Sequence, residues 1–406
     1  MIPAPNRHVA LTFQGSTLKD NQLVNTVLSA AMPRRQFLRN SMMLAVPMVA
    51  GSAFAGATMS GALAATAMAY VPPTRARGST VVSVKTFGAA GDGIRDDTAS
   101  IQAAINALPS TGGTVSIPAG TYLIDTLKPI RPRSLMMLQM DPNAILKAKT
   151  TSVSRAYIMY LTNVSDVEIA GGQLVGERDT HRYMTTSTDE WNMGIQIKGA
   201  SKRVTVRDLH VSKCTGDGVC IGGGSSDIVV ANIVSTLNRR QGLSITNCSN
   251  IKIYDSEFSY TQGTSPECGI DIEPDAGYTC SNIWIENCRL NNNKKYGINI
   301  WKNASAVTLN KNTIEYNKSL GASTYGCSNI TLTGNTIRWN GATGVVFNDG
   351  TNGVKHSGNL SYCNYANLGA KTRTPFVLSG WTSKIERDIL RRGTYTNVQI
   401  GSNNYQ

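Results

Sequence analysis

A glycine recurs every two dozen or so residues through the middle and later part of this chain, and the same short phrase tends to follow it. Gly194, Gly218, Gly242, Gly269, Gly297, Gly321 and Gly344 are separated by 24, 24, 27, 28, 24 and 23 residues. After most of them come an apolar residue, any residue and a second apolar residue: Ile195/Ile197, Val219/Ile221, Leu243/Ile245, Ile270/Ile272 and Ile298/Ile300. A second alternating run follows, as in Val204/Val206, Ile228/Val230, Ile251/Ile253, Ile283/Ile285, Val307/Leu309 and Ile330/Leu332. A period of this length marks a solenoid, since one unit cannot bury its apolar face alone. Alternation of β-branched residues with period two means half-buried strands. No unit has room for a long helix, which excludes a βαβ array and a leucine-rich horseshoe. The repeat predicts one turn of parallel β-helix per unit, with each strand pairing to its counterpart roughly 4.8 Å away.

Two further columns set the register. Cys248, Cys280 and Cys327 each precede Ser-Asn-Ile and should stack on one corner. Asn312, Asn335 and Asn359 each fall five residues after the first apolar residue of the second run, where their amides can hydrogen-bond along the axis. No CxxC occurs among the eight cysteines, so packing explains their spacing better than metal binding or catalysis. The coils opening at Gly242 and Gly269 are three or four residues longer than their neighbours. Insertions in a solenoid become loops on one face, often the binding face. From about residue 366 the pattern fades; a helical stretch over 383–391 and a strand over 397–400 are expected to cover that end.

Ahead of the repeat, Pro33-Arg34-Arg35-Gln36-Phe37-Leu38-Arg39 resembles a twin-arginine export signal. A weakly apolar run, 41–69, follows, and Ala67-Met68-Ala69 before Tyr70 fits a small-x-small cleavage site. Met32 directly precedes the motif, and translation is expected to begin there. The Gly, Ala and Ser content makes the run too weak for a good spanning helix. No other apolar run approaches 18 residues, so no stable membrane insertion is expected and the protein should be periplasmic or secreted. The formal charge is +13; residues 1–69 carry five basic residues and one acid, so +9 remains after their loss. A basic surface suits an anionic partner such as an acidic polysaccharide, nucleic acid or lipid head groups, and charge alone does not choose among them. The partner expected from the residues below is an acidic polysaccharide, not nucleic acid.

Residues 81–105 read VVSVKTFGAAGDGIRDDTASIQAAI. Val82, Val84 and Phe87 suit a first strand, GAAGDG a tight turn, and Asp97 or Asp96 the N-cap of a helix with Ile101, Ala104, Ile105 and Leu108 on one stripe. The stretch resembles the opening signature of the pectate-lyase-like superfamily. Phe87, Gly88, Ala89, Gly91, Asp92, Gly93, Asp96, Asp97, Thr98, Ile101, Gln102, Ala104 and Ile105 match its FGAxGDGxxDDTxxIQxAI pattern. The resemblance implies an all-β, single-stranded right-handed parallel β-helix whose open end is capped by that helix. The superfamily includes pectin-cleaving lyases, polygalacturonase-like hydrolases, alginate epimerases and phage tail spikes. The expected organisation is an extension and signal over 1–69 and a β-helix domain over 70–406. Within that domain, 81–150 holds the cap and first coils, 151–365 the regular coils and 366–406 the C-terminal cap.

The chemistry-bearing residues gather in three consecutive coils. Positions flanking the repeat glycines form columns on one face, and Asp217, Arg239, Arg240, Gln241, Asp271 and Glu273 fall there. Tyr296 and Trp301 lie one coil further on and Trp191 one coil before. The loop over 176–191 can bring His181 and Glu190 over the same face. Aromatic faces stack on sugar rings, arginines pair with uronate carboxylates and acids move protons. Asp271 and Glu273 are two apart on one strand, hence roughly 6.6 Å apart at the backbone on the same side. This set predicts glycoside hydrolysis of a polysaccharide, with Asp271 and Glu273 as the acid/base pair and Asp217 assisting. Arg239, Arg240, Gln241, His181, Trp191, Glu190, Tyr296 and Trp301 would bind substrate, without a cofactor. Asp217 in GDGVCI resembles an acidic coil motif of the polygalacturonase-like hydrolases, though their Gly-His-Gly and Arg-Ile-Lys motifs are missing. One alternative is a uronate lyase or C5-epimerase, with Arg239, Arg240, Lys294 and Lys295 as base or charge neutraliser and calcium on Asp271 and Glu273. Another is a non-catalytic glycan-binding or tail-spike-like protein.

Overall fold

Each turn of the solenoid holds three strands rather than two in the computed structural model, which describes residues 70–184, 189–364 and 388–405. The coil opening at Gly242 runs through Leu243–Ile245, Cys248–Tyr254 and Glu257–Ser259, with a corner between each pair. Strands of the first kind stack into a nine-stranded sheet, and each of the other two kinds into a twelve-stranded sheet. Pairing is parallel and in step: Leu243 faces Val219 in the coil before and Ile270 in the coil after. The third strand is only three residues long in most coils, too short for alternation to show in the sequence. Between the three sheets the inward residues, such as Ile245, Ile251, Ile253 and Phe258, are wholly buried.

The repeat glycine is required by close approach rather than by backbone angle. A Cβ on Gly242 would lie 2.6 Å from the carbonyl oxygen of Gly269, and one on Gly269 2.7 Å from that of Gly297. The glycine column thus lets each coil sit against the next at sheet spacing.

The asparagine column continues as expected. Nδ2 of Asn312 donates to Oδ1 of Asn335 at 3.0 Å, Asn335 to Asn359 at 2.9 Å and Asn359 to Asn403 at 3.1 Å. A second ladder, which the sequence reading did not single out, runs through Asn293, Asn317, Asn340 and Asn364. Cys248 faces Cys280 in register, and all eight cysteines are free thiols.

At the N-terminal end the helix Thr98–Asn106 buries Ile101, Ala104 and Ile105 over the open core. Its cap differs from the expectation in detail. Asp97 is the N-cap residue, but its carboxylate makes no cap bond; it accepts from the amides of Ala90 and Gly91 and so fastens the glycine turn. The neighbouring Asp96 instead takes the Thr98 amide and hydroxyl. At the other end, residues 383–387 of the expected helix lie outside the described residues. The described part, Ile389–Arg391, is a strand beside Val345–Phe347 rather than a helix. Thr396–Ile400 and Asn404–Tyr405 then extend the other two sheets, completing one more coil. The twin-arginine-type signal and the start at Met32 fall outside the described residues. Among the described residues no helix is long and apolar enough to cross a membrane.

Candidate functional site

The nine-stranded sheet carries an outward column that the register fixes without ambiguity. Gln196, Cys220, Ser244, Asp271, Asn299 and Ser323 follow one another across successive strands. Outward does not mean exposed here, since Asp271 is 2% accessible. Asp217 and Gln241, just ahead of their glycines, are fully covered. The column forms the floor of a cleft of about 470 Å³. Its walls come from Trp191 on one side, Trp301 and Lys302 on the other, and the loop over 274–277 above. That loop belongs to one of the two insertions and is tied down by Asn247, whose amide group exchanges two hydrogen bonds with Asp275. The other insertion, 260–268, does not line the cleft.

Three acids of the sequence reading meet in this cleft. Asp217, Asp271 and Glu273 all line it, together with Arg240. Arg240 bridges the set: its Nη1 lies 3.2 Å from Asp217 and its Nε 3.5 Å from Glu190. Burial works against the guanidinium charge, but Asp217, Asp271 and Glu190 outweigh it and raise the pKa above the usual arginine value. Asp217 also accepts a 2.6 Å hydrogen bond from the Ser244 hydroxyl. Burial raises the Asp217 pKa, against the pull of Arg240.

Asp271 is the most perturbed carboxyl of the group. Burial, and then the charge of Glu273, push it up to about 7. Two amides hold its orientation: Gln241 Nε2 donates to Oδ2 at 2.6 Å and Asn299 Nδ2 to Oδ1 at 3.0 Å. Gln241 is therefore a support beneath the acid, not a group that lines the cleft. Among the described residues no group of three or more His, Cys, Asp or Glu side chains is arranged to hold a metal.

Other expected binding residues lie elsewhere. Arg239 stacks on the Tyr183 ring, 4.6 Å from its centroid, and donates to the Asp189 carbonyl; it is not in the cleft lining. His181 is fully buried, with Nδ1 2.7 Å from Glu177 and Nε2 3.4 Å from Asp189. It fastens the loop that delivers Glu190 and Trp191, and does not line the cleft. Tyr296 is half-buried and outside the lining. Lys294 is committed to Glu267 at 2.9 Å, and Lys295 donates to Ser265. Arg239, Lys294, Lys295 and Tyr296 precede a repeat glycine by one to three residues, at a corner where covering loops claim them.

The structure adds residues that the sequence reading did not select. Asp275 and Lys302 line the cleft. Toward the N-terminal end the column continues into Tyr160, which pairs with Gln196. Arg131 and Lys198 lie over the Tyr160 ring at 4.7 and 5.6 Å, and Arg155 over Trp191 at 4.9 Å. Tyr160 escaped notice because its coil lacks the marker: Met159 pairs with Ile195, which puts Ile158 where later coils have glycine.

Comparison with known proteins agrees with this architecture. A family described as "Rhamnogalacturonase A/epimerase, pectate lyase-like" matches residues 81–173, and "Right handed beta helix region" matches 193–270 and 264–371. The uncharacterized protein YclG of Bacillus subtilis is 30% identical over 294 residues, covering 64% of this chain and 49% of that protein. The chain spans about half the length of the first curated relatives it matches. A stretch of 43 residues, 10% of this chain and 3% of the relative, is 60% identical to mannuronan C5-epimerase AlgE1 of Azotobacter vinelandii. The solved A-module of Azotobacter vinelandii mannuronan C-5 epimerase AlgE4 shares the fold, with a TM-score of 0.53 and 19% identity over 80% of this chain and 97% of that one. These matches support placement in the pectate-lyase-like, right-handed β-helix superfamily.

Proposed function

We propose that the cleft is the active site of an exported enzyme that cleaves a polysaccharide by glycoside hydrolysis. The observation that carries this reading is the pairing of Asp271, on the strand Ile270–Ile272 at the cleft floor, with Glu273 just past the end of that strand at the rim, in a cleft walled by two exposed tryptophans. Asp271, with a pKa of about 7, holds its proton near neutrality and donates it to the departing glycosidic oxygen. Glu273, half-buried at the cleft rim, serves the anomeric carbon, either by taking a proton from the attacking water or by direct attack. The water's hydroxyl ends on the anomeric carbon. Its proton goes to Glu273 where water attacks directly, the two carboxyls then re-equilibrating with solvent, and back to Asp271 where Glu273 has first formed the glycosyl-enzyme. Asp217 does not reach for substrate in this scheme; it keeps Arg240 charged and in place. Trp191 and Trp301 stack on sugar rings.

The cleft itself is rich in acids, and Arg240 is already paired. Uronate carboxylates therefore fit better at the flanking Tyr160 platform, beside Arg131 and Lys198, than at the reacting sugar. Four strand steps separate Tyr160 from Asp271, roughly 19 Å, a span of several sugar units. The basic, aromatic platform supports an acidic polysaccharide lying along the solenoid axis.

A second reading, β-elimination or C5-epimerisation of a uronate, draws on the 60% identical stretch shared with a mannuronan C5-epimerase. One experiment separates the two. Purified protein is incubated with a panel of neutral and acidic polysaccharides, and products are followed by reducing-end assay and mass spectrometry. Hydrolysis gives new reducing ends and a mass gain of one water per cut. An unsaturated product, or an unchanged mass with an inverted C5 centre, overturns it. Binding without turnover across the panel leaves a glycan-binding module.

A further inference from the structure

The outer face of one twelve-stranded sheet changes character along the solenoid. Glu168, Thr205, Val229, Lys252 and Trp284 occupy one outward column in register. The first three are at most 2% accessible, whereas Lys252 and Trp284 are exposed. What covers the first three is the segment over 70–77. Arg75, 8% accessible, donates from Nε to the Thr205 hydroxyl and from Nη2 to the carbonyls of Val204 and Asp227. Thr205 in turn donates to the Pro73 carbonyl, and Arg77 pairs with Glu168 at 2.9 Å. At its first described residue, Tyr70, the ring stacks on Tyr254 with centroids 3.7 Å apart and planes 15° from parallel. Its backbone nitrogen lies 2.9 Å from Oδ2 of Asp255. Residues 70–77 thus strap four consecutive strands, Ser165–Ala170, Lys202–Arg207, Ser225–Ala231 and Cys248–Tyr254.

An amide needs only a neutral acceptor at such a place; a carboxylate is suited to a positive charge. The three residues before Tyr70, Ala67-Met68-Ala69, form a small-x-small sequence. We propose that the chain is cleaved between Ala69 and Tyr70, and that Asp255 is the receptor for the α-ammonium group this releases. The step is hydrolysis by an endopeptidase that reads small-x-small sites. One water adds across the Ala69–Tyr70 bond, leaving a carboxylate on Ala69 and an ammonium on Tyr70. The nitrogen does not have to move: the atom that donates as an amide becomes the charged end of a strap already seated. Maturation converts a neutral hydrogen bond into an ion pair and fixes the strap at its free end.

The charge environment sets the pH dependence. Asp255 faces the nitrogen directly, with Asn287 donating to its other oxygen. Asp227 and Arg75 lie near the Tyr70 ring and Glu286 near Tyr254. An α-amine pairing with Asp255 has a folded pKa above its unfolded value, near 8. Its contribution is complete below that unfolded value and is lost as pH rises through the folded one.

The test uses the full chain expressed in an exporting host, with the mature protein purified and its first residue read by N-terminal sequencing. The expected first residue is Tyr70; a mature chain starting anywhere else overturns the proposal. Asp255→Asn keeps an acceptor for an amide but removes the charge. In the mature protein it should lower Tm at pH 6 by about 2 °C and raise the rate of α-amine acylation severalfold, with the Tm difference disappearing by pH 10. An unchanged Tm and acylation rate would leave Asp255 without this role. Arg75→Met is the companion variant: it loosens the strap from the middle, so it should raise α-amine reactivity while leaving Asp255 intact. No change there overturns the strap.

Discussion

The stretch from Asp217 to Glu273 and the coils that open at Gly297 and Gly321 share one backbone plan and treat their buried polar groups in different ways. In the later coils the ladder asparagines meet one another's polar needs. Asn317 donates from Nδ2 to Asn340 and to the Leu290 carbonyl, and accepts on Oδ1 from the side chain and backbone of Asn293. Asn335 and Asn340 repeat this along the axis. In the earlier coils carboxylates replace amides, and burial sets their charge against the surroundings. Asp217 and Asp271 share one nearby arginine, and burial with the charge of Glu273 pushes the Asp271 pKa up to about 7, a titration the ladder amides do not have. A buried polar group that is fully paired braces the scaffold, and one that is desolvated beside a like charge becomes reactive.

The largest expected effect falls on the earlier coils. Asp271→Asn or Glu273→Gln should lower kcat on the cleaved polysaccharide by about 10³-fold, with the far-ultraviolet spectrum unchanged. Turnover that survives both changes would remove the assigned pair. The pH profile sharpens the same point. Activity should fall on the alkaline side of about 7 as Asp271 loses its proton. Stability should decline earlier, as pH rises from the unfolded value of about 4 to about 7. The folded pKa of Asp271 is raised above its unfolded value, so the native state binds the extra proton between the two, and stability declines as pH rises through that window. Asp271→Asn should flatten that decline. A pH–stability curve identical in variant and parent would contradict the desolvation of Asp271.

Next in size is the reverse experiment on the later coils. Asn317→Ala breaks the ladder between Asn293 and Asn340 and leaves donors and acceptors of both unpaired. Denaturant unfolding should show a loss of about 2–4 kcal/mol, while kcat and KM of the surviving folded protein stay as they were. A loss of activity larger than the loss of folded protein would mean that the two regions are not separate.

The scaffold was legible because its constraints repeat. A glycine that must admit the next coil's carbonyl, and inward residues that alternate, return in every turn. The register that put Asp271 above Ser244 and beneath Asn299 could therefore be read from spacing alone. The site was legible only where it used that register. Asp217, Asp271, Glu273, Arg240, Trp191 and Trp301 line one cleft. His181 and Arg239 were misplaced because the loop over 176–191 is a single, non-repeating segment. Its path is decided by a buried contact, His181 between Glu177 and Asp189, that has no period. The short third strands and the second asparagine ladder were missed for a related reason: three residues are too few to show alternation. The exposed or buried state of an outward position was equally hidden. Thr205 and Lys252 occupy the same column, and only the strap over 70–77 makes one buried and the other exposed.

The smallest expected effect lies at the edge of the comparison, where the reactive column runs out into Tyr160. If the polysaccharide lies along the axis, Tyr160→Ala removes a ring that carries Arg131 and Lys198 on its faces and loosens both. The bound sugar there is several units from the cut, so its binding is uniform between ground and transition state, and the loss should appear in KM rather than kcat. A rise in KM of about 5–10-fold is expected, corresponding to one aromatic contact of roughly 1 kcal/mol. It should be seen with long acidic chains and vanish with oligosaccharides too short to reach from Asp271. Tyr325→Ala, which removes the ring stacked on Trp301 at 4.5 Å on the opposite side, supplies the control for direction. Equal effects of the two variants on short substrates would place the chain across the sheet rather than along the axis, because only an axial chain leaves Tyr160 beyond the reach of a short one.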